Sequence, residues 1–171
     1  MGKQKAYKPQ RSDTSRSFTL PTGTKGFLTN DTIEPVSFAL KILNELIESK
    51  IKNTRYTSRI IPISDTCFAL MKDIKEMASK RIHEFFDGLE PSTFVIVPKI
   101  RNNTSLKNAR DELIQMVAEI VPTKHKVDIN GAKYSIMLEI MNNVCGISIV
   151  TDYNRLKKFN LEQFENKENP E

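Results

Sequence analysis

The residues with the plainest chemistry stand in one short run. Lys99, Arg101, Asn102 and Asn103 follow an apolar stretch and precede a helical one. Two cations and two amides at a strand-to-helix junction would lie beside the unpaired N–H groups that open a helix. Positive charge and free donors together suit an anion such as a phosphate. The other reading of the same residues is a capped turn whose charges are simply solvated. Further cations come in close groups: Arg55 with Arg59, Lys80 with Arg81, Lys124 with Lys126, and Arg155 with Lys157 and Lys158. Each group alone is an ordinary solvated face. Together, beside a basic arm, they point toward RNA.

The residues that could do covalent or acid–base chemistry are poorly placed for it. His83 falls on a polar helix face and His125 in a lysine-flanked loop, neither with a cysteine or carboxylate at ligand spacing. Cys67 and Cys145 fall in apolar patterns, which makes them buried structural thiols. Two cysteines give no disulfide framework and no zinc spacing, and an intracellular, reducing compartment is expected. There is no glycine-rich phosphate loop, no H-x-E…C-x-x-C pattern, and no carboxylate pair in an apolar setting. The sequence therefore offers no enzyme site, and no cofactor or metal is expected.

The elements that must position these residues follow from periodicity. Phe94, Ile96 and Ile100 alternate with Val95, Val97, Lys99 and Arg101, which predicts a strand. Asn102 to Ser105 then cap a helix that carries Leu106, Leu113, Val117 and Ile120 on one side. Upstream, Gly26–Thr29 reads as a short strand. A helix begins at Thr32–Pro35, with Val36, Ala39, Leu40, Leu43, Leu46 and Ile47 as its buried stripe. Arg55–Ile63 reads as a strand ending near Pro62. Ser64 or Asp65 caps a long helix with Cys67, Leu70, Met71, Ile74, Met77, Ala78, Phe85 and Phe86 inward, stopped by Gly88 and Pro91. Lys126–Ile129 is a short piece ended by Asn130-Gly131. Tyr134–Met141 and Val144–Thr151 form a hairpin around Asn142-Asn143. From Asp152 the chain turns polar, and Glu162–Glu171 reads as a frayed tail.

The 171 residues carry a net charge of +5 and an isoelectric point of about 9.2. Most of the surplus lies in residues 1–26, where six basic residues face Asp13 alone. That arm has too few apolar residues to offset its ordering entropy and reads as disordered. The last ten residues hold four glutamates against Lys167. No apolar run approaches the length of a membrane span, and the N-terminus lacks the apolar segment of a secretory signal.

Residues 54–67, TRYTSRIIPISDTC, with the strand ending Arg101-Asn102-Asn103, resemble a THUMP domain and the segment leading into it. Lys126-Val127-Asp128 and the strands YSIMLEI (134–140) and VCGISIVTDY (144–153) complete the resemblance, which spans roughly residues 33–160. It is most similar to the stand-alone eukaryotic THUMP proteins that act as adaptors for tRNA cytidine acetylation. The resemblance implies an α/β (α+β) fold, with helices packed on a mixed sheet and a shortened ferredoxin-like half-domain in front. The implied organisation is a disordered basic arm (1–26), a truncated ferredoxin-like segment (27–63), a THUMP domain (64–160) and an acidic tail (161–171). It implies no catalysis by this chain. The partners would be tRNA, gripped at its acceptor end with the 3′ CCA, and a separate RNA cytidine acetyltransferase making N4-acetylcytidine in the D-arm of serine and leucine tRNAs. The implied location is nuclear or nucleolar, with a cytoplasmic pool left open.

Carried over residue by residue, the resemblance selects Arg55, Arg59, Lys99, Arg101, Asn102, Asn103 and Lys126 for RNA, and Pro62, Cys67 and Asp128 for structure. Lys80, Arg81 and Lys124 join the expected RNA-binding set on charge alone. Residues 27–63 have room for only half of the usual preceding domain. A lone half leaves an exposed edge, so either homodimerisation through 27–63 or cover by the acetyltransferase is expected. A module guiding another tRNA-modifying enzyme, or a protein-interaction scaffold, would fit the same composition. Low aromatic content and the absence of tryptophan favour phosphate and shape recognition over base stacking.

Overall fold

The computed structural model describes residues 33–49 and 57–164. Arg55, the basic arm, the Gly26–Thr29 stretch and residues 165–171 lie outside the described residues.

The hairpin at the centre forms as its sequence dictates. Asn142 adopts φ 54°, a left-handed conformation that asparagine tolerates, so the chain reverses in two residues. Strands β4 (Tyr134–Met141) and β5 (Val144–Thr151) then pair in full antiparallel register, from Tyr134↔Thr151 to Met141↔Val144. Strand β2 (Thr93–Arg101) runs parallel to β4, with Lys99 opposite Glu139 and Arg101 opposite Met141. Two short edges complete a five-stranded mixed sheet: β1 (Asp65–Phe68) beside β5 and β3 (Lys126–Val127) beside β2. Every residue of β4 from Tyr134 to Ile140 is buried, as a central strand covered on both faces must be.

Helices α2 (Met71–Phe86) and α3 (Arg110–Ile120) cover one face. Ile74, Ala78, Ile82 and Phe86 pack there with Leu113 and Val117 against Phe94, Ile96, Ile136, Leu138 and Ile147. Phe86 lies edge-on to Phe94, Tyr134 and the His125 ring. His125 is buried, its Nδ1 accepting from the Ser92 N–H at 3.2 Å and its Nε2 3.2 Å from the Phe86 carbonyl. With Nδ1 accepting, Nε2 is the ring nitrogen that donates, to the Phe86 carbonyl. His83 Nδ1 lies 3.0 Å from Asp87, a carboxylate neighbour one helical turn on that the sequence reading did not credit.

Helix α1 (Pro35–Ser49) covers the other face. Pro35 is its first residue, where a missing N–H costs least. Glu34 caps it: the carboxylate accepts from the Ser37 N–H, at 2.6 Å, and the Val36 N–H, at 3.1 Å. Burial would raise the Glu34 pKa, but those bonds and the Arg81 charge outweigh it and hold the carboxyl below its ordinary value. Ala39, Leu43 and Leu46 meet Met137 and Val150 from the sheet.

Four expectations are corrected. Asp65–Phe68 is a strand, and the helix that follows begins only at Met71. Cys67 therefore stands on the sheet opposite Cys145, and Leu70 is 59 % exposed. Alternation and helical spacing coincide over so short a stretch, and pairing to β5 decides it. Residues 57–63 make one bridge, Arg59↔Asn160, rather than a strand. They form a strap across the sheet, with Pro62 buried. Helix α3 starts at Arg110, not Leu106. The Asn103 side chain accepts from the Leu106 N–H at 2.7 Å and closes a turn there instead. Finally, the chain after Asp152 is not simply polar. Tyr153, Leu156, Phe159 and Leu161 are buried and complete the core beneath α1. Leu161–Phe164 forms a 3₁₀ turn, with Glu162 accepting from the Ser58 hydroxyl at 2.6 Å.

Candidate nucleic-acid interface

Strands β2 and β4 are parallel and end together at Arg101 and Met141. Strand β1 ends beside them, because the Ala69 N–H donates to the Asn143 carbonyl at 2.8 Å. Helices α2 and α3 follow the ends of β1 and β2, so both N-termini lie at this end of the sheet. Neither has a side-chain cap: Leu70 and Ala109 occupy the cap positions. Both N-termini thus lie at the carboxyl ends of the parallel strands, the usual binding edge of such sheets, with Asp73 in the first turn of α2 and Asp111 and Glu112 in that of α3.

On the α1-side face, a row of four residues crosses this end. The register sets Phe68 beside Val144, Val144 beside Met141, and Met141 beside Arg101. The next row holds Thr66, Gly146, Glu139 and Lys99. Glu139 is almost buried and faces two cations, Lys99 Nζ at 3.3 Å and Arg101 at 3.9 Å. The Lys99 pair is held by charge, since its geometry falls outside a directed hydrogen bond. Lys99 also lies 5.7 Å from the centre of the Tyr153 ring. Among the described residues, one carboxylate against two cations leaves a positive charge uncompensated, and Arg101 is the more exposed of the two.

The sequence-predicted residues divide accordingly. Lys99, Arg101, Asn102 and Asn103 are brought together. Asn102 is exposed in a left-handed conformation, whereas Asn103 donates to the Asn142 carbonyl at 2.6 Å and ties two loops together. The helix N-terminus expected at Leu106, just after this turn, is displaced by four residues, to Arg110. Lys124 and Lys126 lie at the opposite end of the sheet. Lys124 Nζ donates to the Asp87 carbonyl at 2.8 Å, past the end of α2, and Lys126 is exposed on β3. Arg81 is shared between Asp65 at 3.6 Å and Glu84 at 3.7 Å. Lys80 is exposed on α2, and Arg59 is exposed on the strap.

Sequence reasoning missed three groups. Lys72 and Lys75 line, with Glu76, Ser79 and Lys80, a shallow groove of about 440 Å³ along α2. Their spacing of three, four and eight residues was the available signal. Asn142 and Asn143 are exposed beside Asn102, but were read only as turn formers. Phe68, 57 % exposed, was hidden by placing it on a helix. Cys67 and Cys145 are free thiols on facing strands. The hydrogen bond between them holds Cys67 below its ordinary pKa, against burial and the nearby Asp73 carboxylate. The same bond, with burial, pushes Cys145 far up. Among the described residues, no group of three or more His, Cys, Asp or Glu could hold a metal ion. No described helix is long and apolar enough to cross a membrane.

Residues 68–150, from the end of β1 almost to the end of β5, match the THUMP domain. The chain belongs to the THUMP-domain family. This THUMP chain is 37 % identical over 134 residues to human THUMP domain-containing protein 1, across 77 % of its own length and 37 % of that protein's. It is 28 % identical over 150 residues to a Saccharomyces cerevisiae protein named tRNA acetyltransferase TAN1, across 79 % and 50 % of the two chains. The solution structure of the THUMP domain of THUMP domain-containing protein 1 aligns with 32 % identity and a TM-score of 0.42, covering 48 % of this chain and 85 % of that one. The chain thus spans well under half the length of the human relative it matches. The architecture is mixed α/β, three helices on a five-stranded mixed sheet among the described residues.

Proposed function

We propose that this THUMP chain is a non-catalytic tRNA-binding adaptor. It serves formation of N4-acetylcytidine in the D-arm of serine and leucine tRNAs by a separate RNA cytidine acetyltransferase. The observation that carries this reading is the convergence at one sheet end of Lys99, Arg101, exposed asparagines and two uncapped helix N-termini. Cations and free donors without an acid–base pair suit a phosphate backbone better than a reaction. Similarity to a protein named for tRNA acetylation selects tRNA among phosphate-bearing partners. The histidines and thiols, the usual catalytic side chains, are engaged in hydrogen bonds within the fold. In this reading the acceptor end with its 3′ CCA is the part gripped. Cover for α1, whose Phe38 is 48 % exposed, comes from a second copy or from the acetyltransferase. The setting is nuclear or nucleolar, with a cytoplasmic pool left open.

The test is the affinity of the purified protein for serine tRNA, intact and with its 3′ CCA removed, over a salt series. Tight binding lost on trimming supports acceptor-end recognition. Replacing Arg101 by Ala is expected to weaken binding to all cognate tRNAs alike and to flatten the slope of log K against log salt by roughly 0.7–0.9. Unchanged slope and affinity would remove Arg101 from the interface. In cells, deleting the gene is expected to abolish N4-acetylcytidine in tRNA and to leave it in ribosomal RNA; persistence in both would sink the adaptor role.

A further inference from the structure

Most of the α1-side face of the sheet is covered. Helix α1, the strap at 57–63 and the segment at 153–161 lie over it, and Ile63 sits directly on Gly146. Among the described residues, the cover stops one row short of the strand ends. There Val144 and Met141 are only partly buried, and Phe68 presents its ring at the rim. Arg101 closes the same row on the far side, three strand spacings or roughly 14 Å away. Asn102, Asn142 and Asn143 project from the loops at this end.

An exposed phenylalanine by itself would mean nothing. This one shares an apolar floor with an arginine whose carboxylate partner is already taken by Lys99 at closer range. A flat aromatic, an apolar floor and an uncompensated cation on one open sheet surface are what a single-stranded nucleic acid uses. The base stacks, and the backbone is neutralised beside it. The amides add donors and acceptors within reach of a base edge. An apolar protein segment would have no use for the excess positive charge.

We infer that this open end of the sheet is a single-strand RNA subsite, in which an unpaired base stacks on Phe68 and a neighbouring phosphate is held by Arg101. The inference rests on the RNA-binding reading above and adds base stacking, which charge and composition argued against. It also divides the labour between surfaces. Duplex backbone is met by the cations elsewhere, and a single-stranded end or loop is met here.

The experiment is fluorescence anisotropy of the full chain with a short labelled oligouridylate, a blunt RNA duplex and serine tRNA. Phe68→Ala is expected to weaken the oligouridylate about five- to 150-fold, the range of one lost base–aromatic stack, and to leave the duplex unchanged. Phe68→Tyr, which keeps the ring, is expected to restore binding. Ile129→Ala, at an exposed apolar residue beyond β3 at the opposite end of the sheet, is the control and is expected to leave the oligouridylate affinity unchanged. Phe68 is exposed, so these variants should fold, and circular dichroism checks that they do. If the wild-type chain binds the oligouridylate and Phe68→Ala binds it equally well, the subsite is overturned while the tRNA reading stands. If Phe68→Ala weakens duplex and oligouridylate alike, the stacking role is overturned. If the wild-type chain binds none of the three RNAs, the RNA reading itself fails. Loss of acetyltransferase binding by Phe68→Ala, with RNA affinities intact, would reassign the face to a protein.

Discussion

At the scale of single residues, the two cysteines show how position overrides composition. Both read from the sequence as buried structural thiols because they sit in apolar patterns; Cys145 is buried, whereas Cys67 is only half-buried. What the sequence could not display was that residues 78 positions apart stand opposite each other on paired strands. Their hydrogen bond separates the two thiols in opposite directions. A thiolate is the alkylating nucleophile, so reactivity rises as pH climbs through the thiol's pKa. Cys67 is half-buried with its pKa lowered, so iodoacetamide should modify it below the pH at which an ordinary thiol reacts. Cys145 should remain unmodified until the chain unfolds. Peptide mass mapping over a pH series measures this directly. Equal modification of both in the folded protein would show that the facing-thiol geometry is wrong. Lys99 and Arg101 teach the converse lesson. Alternation alone put them on one face, correctly, but nothing in the sequence tied both to Glu139, because side-chain pairing across parallel strands depends on register.

At the scale of elements, the regular pieces were readable and the irregular ones were not. Strands β2, β4 and β5 alternate over eight or nine residues with asparagines at the reversal, and the helical stripes of α1 and α2 repeat cleanly. The strap at 57–63 mixes β-branched and polar residues in a way that matches a strand, yet it makes a single bridge, to the 159–161 segment, rather than a ladder. Its seat depends on Gly146. A Cβ there would come within 2.7 Å of Ile63 Cγ2 and 2.9 Å of its Cδ1. Ile63 is β-branched and cannot swing aside freely. Gly146→Ala is therefore expected to cost about 1–3 kcal/mol, the range for overpacking a filled site. Adding Ile63→Ala should return part of that, although each change alone destabilises. Urea denaturation of the two single variants and the double variant gives the coupling. Strict additivity would mean the strap is not seated on Gly146.

At the scale of the whole molecule, one sheet serves two cores. Even-numbered residues of β4 face α2 and α3, while Met137 faces α1 together with Val150. The second core is closed by Tyr153, Leu156, Phe159 and Leu161, which are separated by Asp152, Asn154, Arg155, Lys157 and Lys158. That spacing concealed it. The backbone there is left-handed at three successive residues, Lys157, Lys158 and Phe159, with φ of 49°, 56° and 59°, so neither the strand nor the helix period applies. Such a run costs of order 1–3 kcal/mol per residue and persists only where packing over-determines it. Phe159, fully buried, is the residue that does so, aided by the Ile60 N–H donating to its carbonyl. Phe159→Ala is expected to lose about 3–5 kcal/mol, and Phe159→Leu less than about 1.5. Because β4 contributes to both cores, the loss should not be confined to α1. Urea unfolding followed by far-ultraviolet circular dichroism and by tyrosine fluorescence should give one coincident transition, moved to lower denaturant. Two transitions in Phe159→Ala, the later one unmoved from wild type, would mean that the α2–α3 half folds without the face that α1 and the C-terminal segment cover.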